Sequence, residues 1–228
     1  MADGGAAMII EYPTDLLADV KKATAGRRLT GFTPGQGPRH PELMLIGEAP
    51  GRHEEQVNIP FSGASGQELM KLVESIGYSR QTVYITSVVR QRPYSIKRVR
   101  DKKTGQVVEK TPNRTPTKGE VRAFAPLFDW ELHYVDPQVL VPLGNTALQR
   151  LLGPQANIGQ LHGQAITSAI QEADPAGKGY RWSKRQYRLF PMYHPAAILY
   201  ARRLQPTVEA DWQRLGQFMH NLHRQENI

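Results

Sequence analysis

The chain has 228 residues, of which 39% are apolar, and this suffices for one core of ordinary size without a second domain. Its formal net charge of +8 favours a polyanionic partner such as nucleic acid. Because there is no cysteine, disulfides, a thiolate nucleophile and a thiolate metal site are excluded. The sequence has no apolar run long enough to cross a membrane and no charged-then-apolar leader. We therefore expect a cytoplasmic protein without membrane contacts, associated with the nucleoid if the source is prokaryotic.

The first part of the chain predicts a leader, a helix and a loop. Residues 1–12 look like a disordered leader. The apolar spacing over residues 15–25 is helical, with Thr14 or Asp15 as the N-cap. Residues 31–41 are rich in Gly and Pro and predict a loop that leads into the first strand of the sheet.

The next stretch, residues 43–66, determines the predicted site. Residues 43–46 form an apolar run that is too short and too sharply stopped by Gly47 to be a helix. Such a run is typical of a strand covered on both faces. Chemistry in parallel sheets lies just past the carboxyl end of a strand. That position holds Gly47, Glu48, Ala49, Pro50 and Gly51, followed by Glu54, Glu55 and Phe61.

Helices and strands alternate along the rest of the chain, which implies a parallel sheet with helices on both sides. The predicted fold is a three-layer α/β/α sandwich with a central, mainly parallel sheet of four strands. It forms one domain over residues 1–228, and we expect a monomer. Helices are predicted over 65–76 (capped by Ser65), 120–134 (with Pro126 in the first turn or at a kink), 146–152 and 206–223, and further strands over 82–89, 138–143 and 187–193.

A basic insert occupies residues 94–118. Its valine-containing arms around Thr104 and Gly105 predict a hairpin. A run of this kind is usually a solvated loop, but the interleaved Tyr94 and Ile96 also suit contact with phosphate. The side chains expected to contact DNA there are Lys97, Arg98, Arg100, Lys102 and Lys103.

A histidine follows the last predicted strand of the sheet. His194 and Pro195 come directly after residues 187–193, just as the acidic loop follows residues 43–46. Two loops at the ends of strands, one acidic and one carrying a histidine, define a cleft.

These two loops resemble the motifs of the uracil-DNA glycosylase superfamily, and most closely those of its family 4. The first motif of that family reads GEAPG, followed by a pair of acids and by PF, and the second reads HP followed by small residues. Several motifs in the right order make the resemblance specific. They stand here at residues 47–51, 54–55, 60–61 and 194–199, with further likeness at YITSVVRQRP (84–93), NRTPT (113–117) and LGNTAL (143–148).

The resemblance implies a DNA glycosylase that flips uracil out of the helix, hydrolyses its bond to the sugar and leaves an abasic site. Phe61 suits the platform on which the base stacks, although it is also a candidate core residue. His194 suits the donor to the oxygen where negative charge develops. Glu48 suits the group that orients water or stabilises the cationic sugar, with Glu54 and Glu55 as alternatives that instead cap a turn. No lysine occupies a motif position, so we expect no lyase activity.

Other loop residues are expected to contact the base or the DNA. The base is expected to contact Gly47, Ala49, Pro50, Gly51, Phe61 and Ser87. A helix start suits a phosphate, small residues allow close approach of the backbone, and an apolar side chain wedges into the gap that the flipped base leaves. The DNA contacts expected are Ser62, Gly63, Ser65 and Gly66 in the first loop, and Pro195, Ala196, Ala197 and Arg202 with a wedge from Ile198, Leu199 or Tyr200 in the second.

The chain departs from the family pattern in two places. Ser87 stands where family 4 carries an asparagine whose amide pairs with the uracil edge, so two contacts become at most one. Asn58 is a candidate for compensation. The four cysteines that hold an iron-sulfur cluster in relatives are replaced, so we expect no cofactor and no metal. The matching positions are approximately Val20, Ala23, Gln91 and Phe124.

Three other functions stay open. The same fold with an altered base choice, such as hypoxanthine or xanthine, follows from Ser87. A DNA lesion or single-strand binding protein without turnover would use the same pocket, although retention of Glu48, Phe61 and His194 argues against it. A nucleotide-binding enzyme of a doubly wound fold is disfavoured because GxGxxG is absent from the first strand-helix turn.

Overall fold

The computed structural model describes residues 9–101, 104–177 and 179–226. Its helices are α1 (Thr14–Thr24), α2 (Arg52–Val57), α3 (Ala64–Glu74), α4 (Lys118–Val135), α5 (Asn145–Leu152), α6 (Ile158–Leu161), α7 (Ala196–Tyr200) and α8 (Gln205–Glu226), with a 3-10 turn at Arg202–Leu204. Its strands are β1 (Leu29–Thr30), β2 (Leu43–Gly47), β3 (Tyr84–Ser87), β4 (Arg92–Pro93), β5 (Lys97–Arg100), β6 (Val107–Lys110), β7 (Val139–Pro142), β8 (Ile166–Ala173) and β9 (Tyr180–Leu189).

The central sheet has five strands in the order β3-β2-β7-β9-β8. β2 pairs in parallel with β3 and β7, and β7 pairs in parallel with β9, so four carboxyl ends lie at one edge. β8 pairs antiparallel with β9. The mainly parallel sheet is confirmed, and the predicted count of four strands is wrong because β8 adds a fifth.

The sheet lies between two apolar layers. β2 is completely buried, and its side chains alternate between the layers because successive residues of a strand point to opposite faces. Leu43 and Leu45 belong to the core cluster that contains α3 and α8, whereas Met44 and Ile46 belong to the cluster that contains α1 and α4. This arrangement confirms the three-layer α/β/α sandwich.

The last strand of the sheet was predicted over residues 187–193, but it begins earlier and ends earlier in the structure. β9 begins at Tyr180 rather than at residue 187, and it ends at Leu189. Its partner β8 was not predicted, because its sequence ITSAIQEA is only partly buried and a bulge between Ala169 and Gln171 interrupts its alternation. Beyond β9, the Met192 amide still donates to the Pro142 carbonyl, which carries the chain along β7 to His194.

The predicted disordered leader is wrong for residues 9–12, while residues 1–8 lie outside the described part of the chain. Ile10 is 4% exposed and packs in the core, and the Tyr12 hydroxyl donates to the Glu131 carboxylate at 2.8 Å. α1 begins at Thr14 after Pro13, without a side-chain cap, so the predicted cap is also wrong.

Three further details of the helices differ from the predictions. α3 begins at Ala64 with Gly63 in the N-cap position, so Ser65 lies inside the first turn and does not cap it. Pro126 lies in the middle of α4, so the first-turn alternative is wrong and the kink stays a prediction. α4 begins earlier than predicted, because the Thr117 side chain accepts from the Glu120 amide and Glu120 in turn binds the Thr117 amide.

α8 is the docking helix that the sequence predicts. Its apolar stripe is buried, as the helical spacing requires, and consists of Val208, Trp212, Leu215, Met219 and Leu222. No helix in the described ranges is long and apolar enough to cross a membrane.

The basic insert forms the predicted hairpin. β5 pairs antiparallel with β6, from Lys97 opposite Lys110 to Arg100 opposite Val107. Both strands are largely exposed. Lys102 and Lys103, which are also predicted to contact DNA, lie outside the described residues.

Candidate active site

A cleft of about 1120 Å³ opens at the edge of the sheet where the parallel strands end. The loops after β2 and β7 and the segment after β9 meet there, as expected for a parallel α/β sheet. Of the residues predicted from the sequence, the cleft is lined by Glu48, Ala49, Pro50, Gly51, Glu54, Phe61, Gly63, Ser65, Ser87, His194, Ala196, Leu199 and Tyr200. The lining does not include Gly47, Glu55, Ser62, Gly66, Lys97, Arg98, Arg100, Pro195, Ala197, Ile198 or Arg202.

The aromatic ring of Phe61 lies across the end of β2. A Cβ atom at Gly47 would be only 2.6 Å from the Phe61 Cε2 atom, so the glycine makes room for the ring. Phe61 is 7% exposed, and its ring centroid is 5.6 Å from that of His194. Phe61 therefore belongs both to the core and to the wall of the cleft. Its burial in the core is compatible with its predicted role as the platform for the base.

The carboxylate of Glu48 is anchored by α5. The Thr146 hydroxyl, in the first turn of that helix, donates to Glu48 Oε2 at 2.5 Å. The amino end of a helix carries partial positive charge and favours a carboxylate nearby. Among the described residues, Glu48 Oε1 has no hydrogen-bond partner in the protein. One oxygen is thus held, and the other is available to water or substrate.

The other two acids have structural partners. Glu54 is 9% exposed, and its two oxygens accept from the Gly63 amide at 2.9 Å and the Gly51 amide at 3.1 Å. This carboxylate ties the start of α2 to the start of α3, which is the turn-capping alternative. Glu55 accepts from Arg92 Nε at 2.5 Å and lies outside the cleft lining. Glu48 is thus the acid with an oxygen free at the cleft.

His194 is held as one tautomer by its own loop. Its Nδ1 atom accepts from the Ala196 amide at 3.2 Å, so the proton of the neutral ring belongs on Nε2. Burial lowers the pKa of His194 from 6.5 to about 4, although the nearby Glu54 carboxylate partly opposes this shift. At neutral pH the ring is therefore uncharged and presents an Nε2–H donor.

We expect His194 to titrate with a midpoint near pH 4, as its buried ring requires. Between pH 4 and 6.5 the unfolded chain binds a proton at this residue and the folded chain does not, so His194 lowers stability as the pH falls through this window. Nitrogen chemical shifts of the ring, recorded from pH 3.5 to 7.5 on labelled protein, measure both the midpoint and the tautomer. A midpoint near 6.5, or a proton on Nδ1, would contradict the geometry.

Ser87 ends β3 directly beside Gly47, at the floor of the cleft, and is 6% exposed. Asn58 does not compensate for the missing amide. It is exposed, ends α2 in the left-handed region with φ +56°, and does not line the cleft, so that expectation is wrong. Asn113 does line the cleft. Its Oδ1 accepts from Arg92 Nη1 at 3.2 Å, which leaves the amide group of the side chain for another partner.

Asn113 lines the cleft but was not predicted from the sequence as a residue of the site. The signal was present, since Asn113 opens the NRTPT motif, but the motif was used only to support the resemblance. Thr146 was missed for the same reason, within the LGNTAL motif. Both side chains enter the cleft from segments that are distant from Glu48 in the sequence.

The loops expected to contact DNA have mixed exposure. Leu199 is 46% exposed and Tyr200 is 90% exposed at the mouth of the cleft, whereas Ile198 is 7% exposed and packs in the core. Of the three wedge candidates, Ile198 is therefore excluded. In the first loop, Gly63 and Ser65 face the cleft, and the Ser62 hydroxyl is buried without a partner among the described residues.

The basic hairpin projects from the rim of the cleft. Pro93 and Asn113, at its base, line the cleft, and Tyr94 bridges to Asn113. Lys97, Arg98 and Arg100 are exposed. The position of the hairpin suits contact with a polyanion that enters the cleft.

The residues at the iron-sulfur positions do not fit a cluster. Val20 is 6% exposed and Phe124 is fully buried, and both pack in the same apolar layer. None of the four side chains offers a thiolate. In the described ranges, no group of three or more His, Asp or Glu residues is arranged to hold a metal ion.

The fold and the cleft together define a class of protein, an α/β/α sandwich with a buried aromatic ring, a neutral histidine and an anchored carboxylate at the strand ends. The chain belongs to the uracil-DNA glycosylase superfamily, because the model of the "Uracil DNA glycosylase superfamily" matches residues 34–216.

Relatives support this membership over most of the chain. The "Type-4 uracil-DNA glycosylase" of Archaeoglobus fulgidus is 32% identical over 200 residues, which are 86% of this chain and 86% of the relative. The protein of the same name from Sulfurisphaera tokodaii is 30% identical, over 86% of this chain and 78% of the relative. That of Thermotoga maritima is 29% identical, over 79% of each. The resemblance found in the motifs is confirmed.

Proposed function

We propose that this protein is a monofunctional uracil-DNA glycosylase that starts base excision repair by hydrolysing the bond between uracil and deoxyribose. The observation that carries the proposal is the meeting of Phe61, His194 and Glu48 in one cleft at the strand ends. The relatives with about 30% identity bear the name of this activity.

In the proposed reaction, the uracil nucleotide leaves the base stack and its ring lies against Phe61. Stacking of a base on an aromatic ring contributes about 1 to 3 kcal/mol. The base-binding contacts come from the backbone of residues 47–51 and from the Ser87 hydroxyl.

As the glycosidic bond breaks, its electron pair moves onto the base and negative charge develops on a uracil oxygen. The Nε2–H group of neutral His194 donates to that oxygen, and a donor of this kind contributes on the order of 3 to 4 kcal/mol. A charged imidazolium would bind the neutral substrate more tightly too, whereas the neutral ring strengthens its bond mainly in the transition state. The low pKa of His194 thus serves the reaction.

The sugar becomes cationic as the base leaves. It then requires a negative charge nearby and a water molecule in position to attack, and Glu48 can supply the first and position the second. The carboxylate stabilises the positive charge, and its Oε1 atom orients a water molecule that adds to the anomeric carbon. Hydroxide is added to the sugar, the proton of the water passes to Glu48, and the uracil anion departs. The Thr146 hydrogen bond holds Oε2 during these steps.

A broader base choice is the second candidate, and Ser87 favours it. A hydroxyl makes at most one of the two contacts that an asparagine amide makes with the uracil edge. By analogy with base readout, loss of such a pair relaxes discrimination by roughly 1 to 3 kcal/mol. Hypoxanthine and xanthine are the deaminated bases to compare with uracil.

The decisive assay mixes the protein in excess with labelled oligonucleotides that contain uracil, hypoxanthine, xanthine or thymine, both single-stranded and paired. Abasic sites are measured under single-turnover conditions. Release of uracil supports the first function, and release of another base alone supports the altered specificity. Binding without release of any base would contradict both and leave a DNA-binding protein without turnover.

The exposed hairpin is proposed to bind DNA phosphates. If Lys97, Arg98 and Arg100 each neutralise one phosphate, replacing all three with glutamine lowers the slope of log affinity against log salt concentration by about three. Fluorescence anisotropy with duplex DNA, measured over a salt series, gives the slope. A control that changes Lys21, Lys22 and Arg27 to glutamine alters the net charge equally but acts on α1 and on the turn that follows it, away from the cleft. Equal slopes for the two triple variants would contradict the proposal and show that the hairpin is solvated and makes no specific phosphate contacts.

The oligomeric state, location and domain organisation of the enzyme are also proposals. We infer a monomer that acts on DNA in the cytoplasm, with the whole chain as one glycosylase domain. Sedimentation analysis at micromolar concentration tests the monomer.

A further inference from the structure

The backbone of Phe61 adopts a conformation that a residue with a side chain rarely adopts. Its φ angle is +51°, in the left-handed region, where the Cβ atom crowds the backbone. Such conformations persist only where the surroundings hold them, and they concentrate at functional sites. The surroundings of Phe61 are therefore part of the explanation of its position over Gly47 and beside His194.

One side of this turn is held by α3. A Cβ atom placed at Gly66 would lie 1.8 Å from the Phe61 carbonyl oxygen, so the helix backbone packs directly against the Phe61 peptide. Only a glycine permits this approach. The packing fixes where the turn lies, but it makes no directed bond to the two carbonyl groups on either side of the Phe61 Cα atom.

Arg80 supplies those bonds from the other side. Its Nη1 atom donates to the Pro60 carbonyl at 2.9 Å, and its Nη2 atom donates to the Phe61 carbonyl at 2.5 Å. Helical backbone angles of either hand point successive carbonyls in the same direction, whereas extended angles point them apart. The planar fork of a guanidinium can therefore bind both oxygens while Phe61 keeps its left-handed helical angles, and it loses one of them when Phe61 becomes extended.

We propose that Arg80 is a positioning residue of the base platform, which holds Phe61 in the orientation that stacks on the flipped base. The inference rests on the proposed function and deepens it. Arg80 is half-buried on the loop between α3 and β3 and does not line the cleft, so it acts through Phe61 alone. Without Arg80, Phe61 can relax to an extended conformation with a negative φ, and its ring then leaves its place beside His194.

The test compares Arg80→Ala and Arg80→Lys with Arg39→Ala. Arg39 is a matched control, because it also donates to a backbone carbonyl, that of Tyr134, but on an exposed surface away from the cleft. In single-turnover release of uracil, we expect Arg80→Ala to be slower by about tenfold, since a misplaced platform weakens the transition state. Lysine offers no planar fork, so Arg80→Lys should recover only part of the rate, and Arg39→Ala should keep it.

A double-variant comparison separates positioning from general stability. If Arg80 acts through the Phe61 ring, Arg80→Ala should change the rate by less than about twofold in a Phe61→Leu background. A lower melting temperature with an unchanged rate, or two losses that multiply, would overturn the inference. If Arg80→Ala does not fold, the partial loss expected for Arg80→Lys carries the same test.

A second readout does not depend on activity. The rings of Phe61 and His194 are close enough for nuclear Overhauser contacts, with centroids 5.6 Å apart. We expect these contacts to be lost in Arg80→Ala, weakened in Arg80→Lys and kept in Arg39→Ala. If the unaltered protein releases no uracil, the proposed function fails, and these contacts still decide the role of Arg80. Their persistence without Arg80 would overturn it.

Discussion

We expect His194→Ala to lower the single-turnover rate of uracil release by about 100- to 1000-fold, which is the loss seen when a donor to a developing oxyanion is removed. The affinity for uracil-containing DNA should change little, because the bond from Nε2 becomes strong only as charge develops on the base. His194→Gln keeps a neutral donor at a similar reach but on a more flexible side chain, and it should recover part of the rate.

The control for this comparison is His133→Ala. His133 is half-exposed on α4, where its Nε2 atom contacts Glu172 at 3.1 Å, and it does not line the cleft. Its loss should leave the rate unchanged. Equal losses of rate and affinity in His194→Ala would instead make His194 a DNA-binding residue.

The second large effect is expected for Glu48→Gln. Glutamine has nearly the same shape and can still accept from Thr146, but it carries no charge and is a poor acceptor for the proton of the attacking water. We expect the single-turnover rate to fall by about 100-fold, the usual contribution of a positioned acid or base. DNA affinity should stay the same or rise slightly, since a negative charge near the phosphates is removed.

Glu68→Gln is the matched control, because Glu68 is on α3 and pairs with Lys71 at 2.7 Å outside the cleft. Its rate should equal that of the unaltered protein. Adding Thr146→Val to Glu48→Gln should cost nothing further if Thr146 acts only by holding the carboxylate. A Glu48→Gln variant with full activity would show that another group positions the water.

The positions of the strand ends were predictable because each parallel strand carries its own local signal. The apolar run at residues 43–46 and its stop at Gly47 identify a buried strand, and the structure extends it by one residue. Parallel pairing then places Ser87 beside Gly47, so the two residues meet without any further specification. The sequence therefore predicts that Glu48, Phe61, Ser87 and His194 meet in one cleft, and all four line it.

β8 was missed because an edge strand is paired on one side only and needs no continuous apolar run. Its eight residues are mostly half-exposed, and a bulge breaks their alternation. The predicted disordered leader, residues 1–12, was too long because its ordered residues give no pattern in the sequence. Ile10 and Tyr12 are single contacts in an otherwise polar segment, and only the packing of α4 shows that they are needed.

The roles of the three acids were not separable in the sequence. Glu48, Glu54 and Glu55 follow the same strand within eight residues, and each is a plausible ligand for water. Their partners come from Thr146, from the Gly51 and Gly63 amides and from Arg92, respectively, and two of these partners lie far away in the chain. Sequence spacing contains no information about such partners.

The sequence by itself determined the layered α/β fold, the family and the cleft, because buried strands, their end loops and their motifs are local patterns of residues. Only the tertiary structure decided which acid is free, which tautomer His194 holds and what keeps Phe61 in place. These properties depend on hydrogen bonds between segments that meet only in the folded chain, such as those from Arg80 to the Pro60 and Phe61 carbonyls. Hydrogen bonds require a defined distance and direction, and folding alone supplies both.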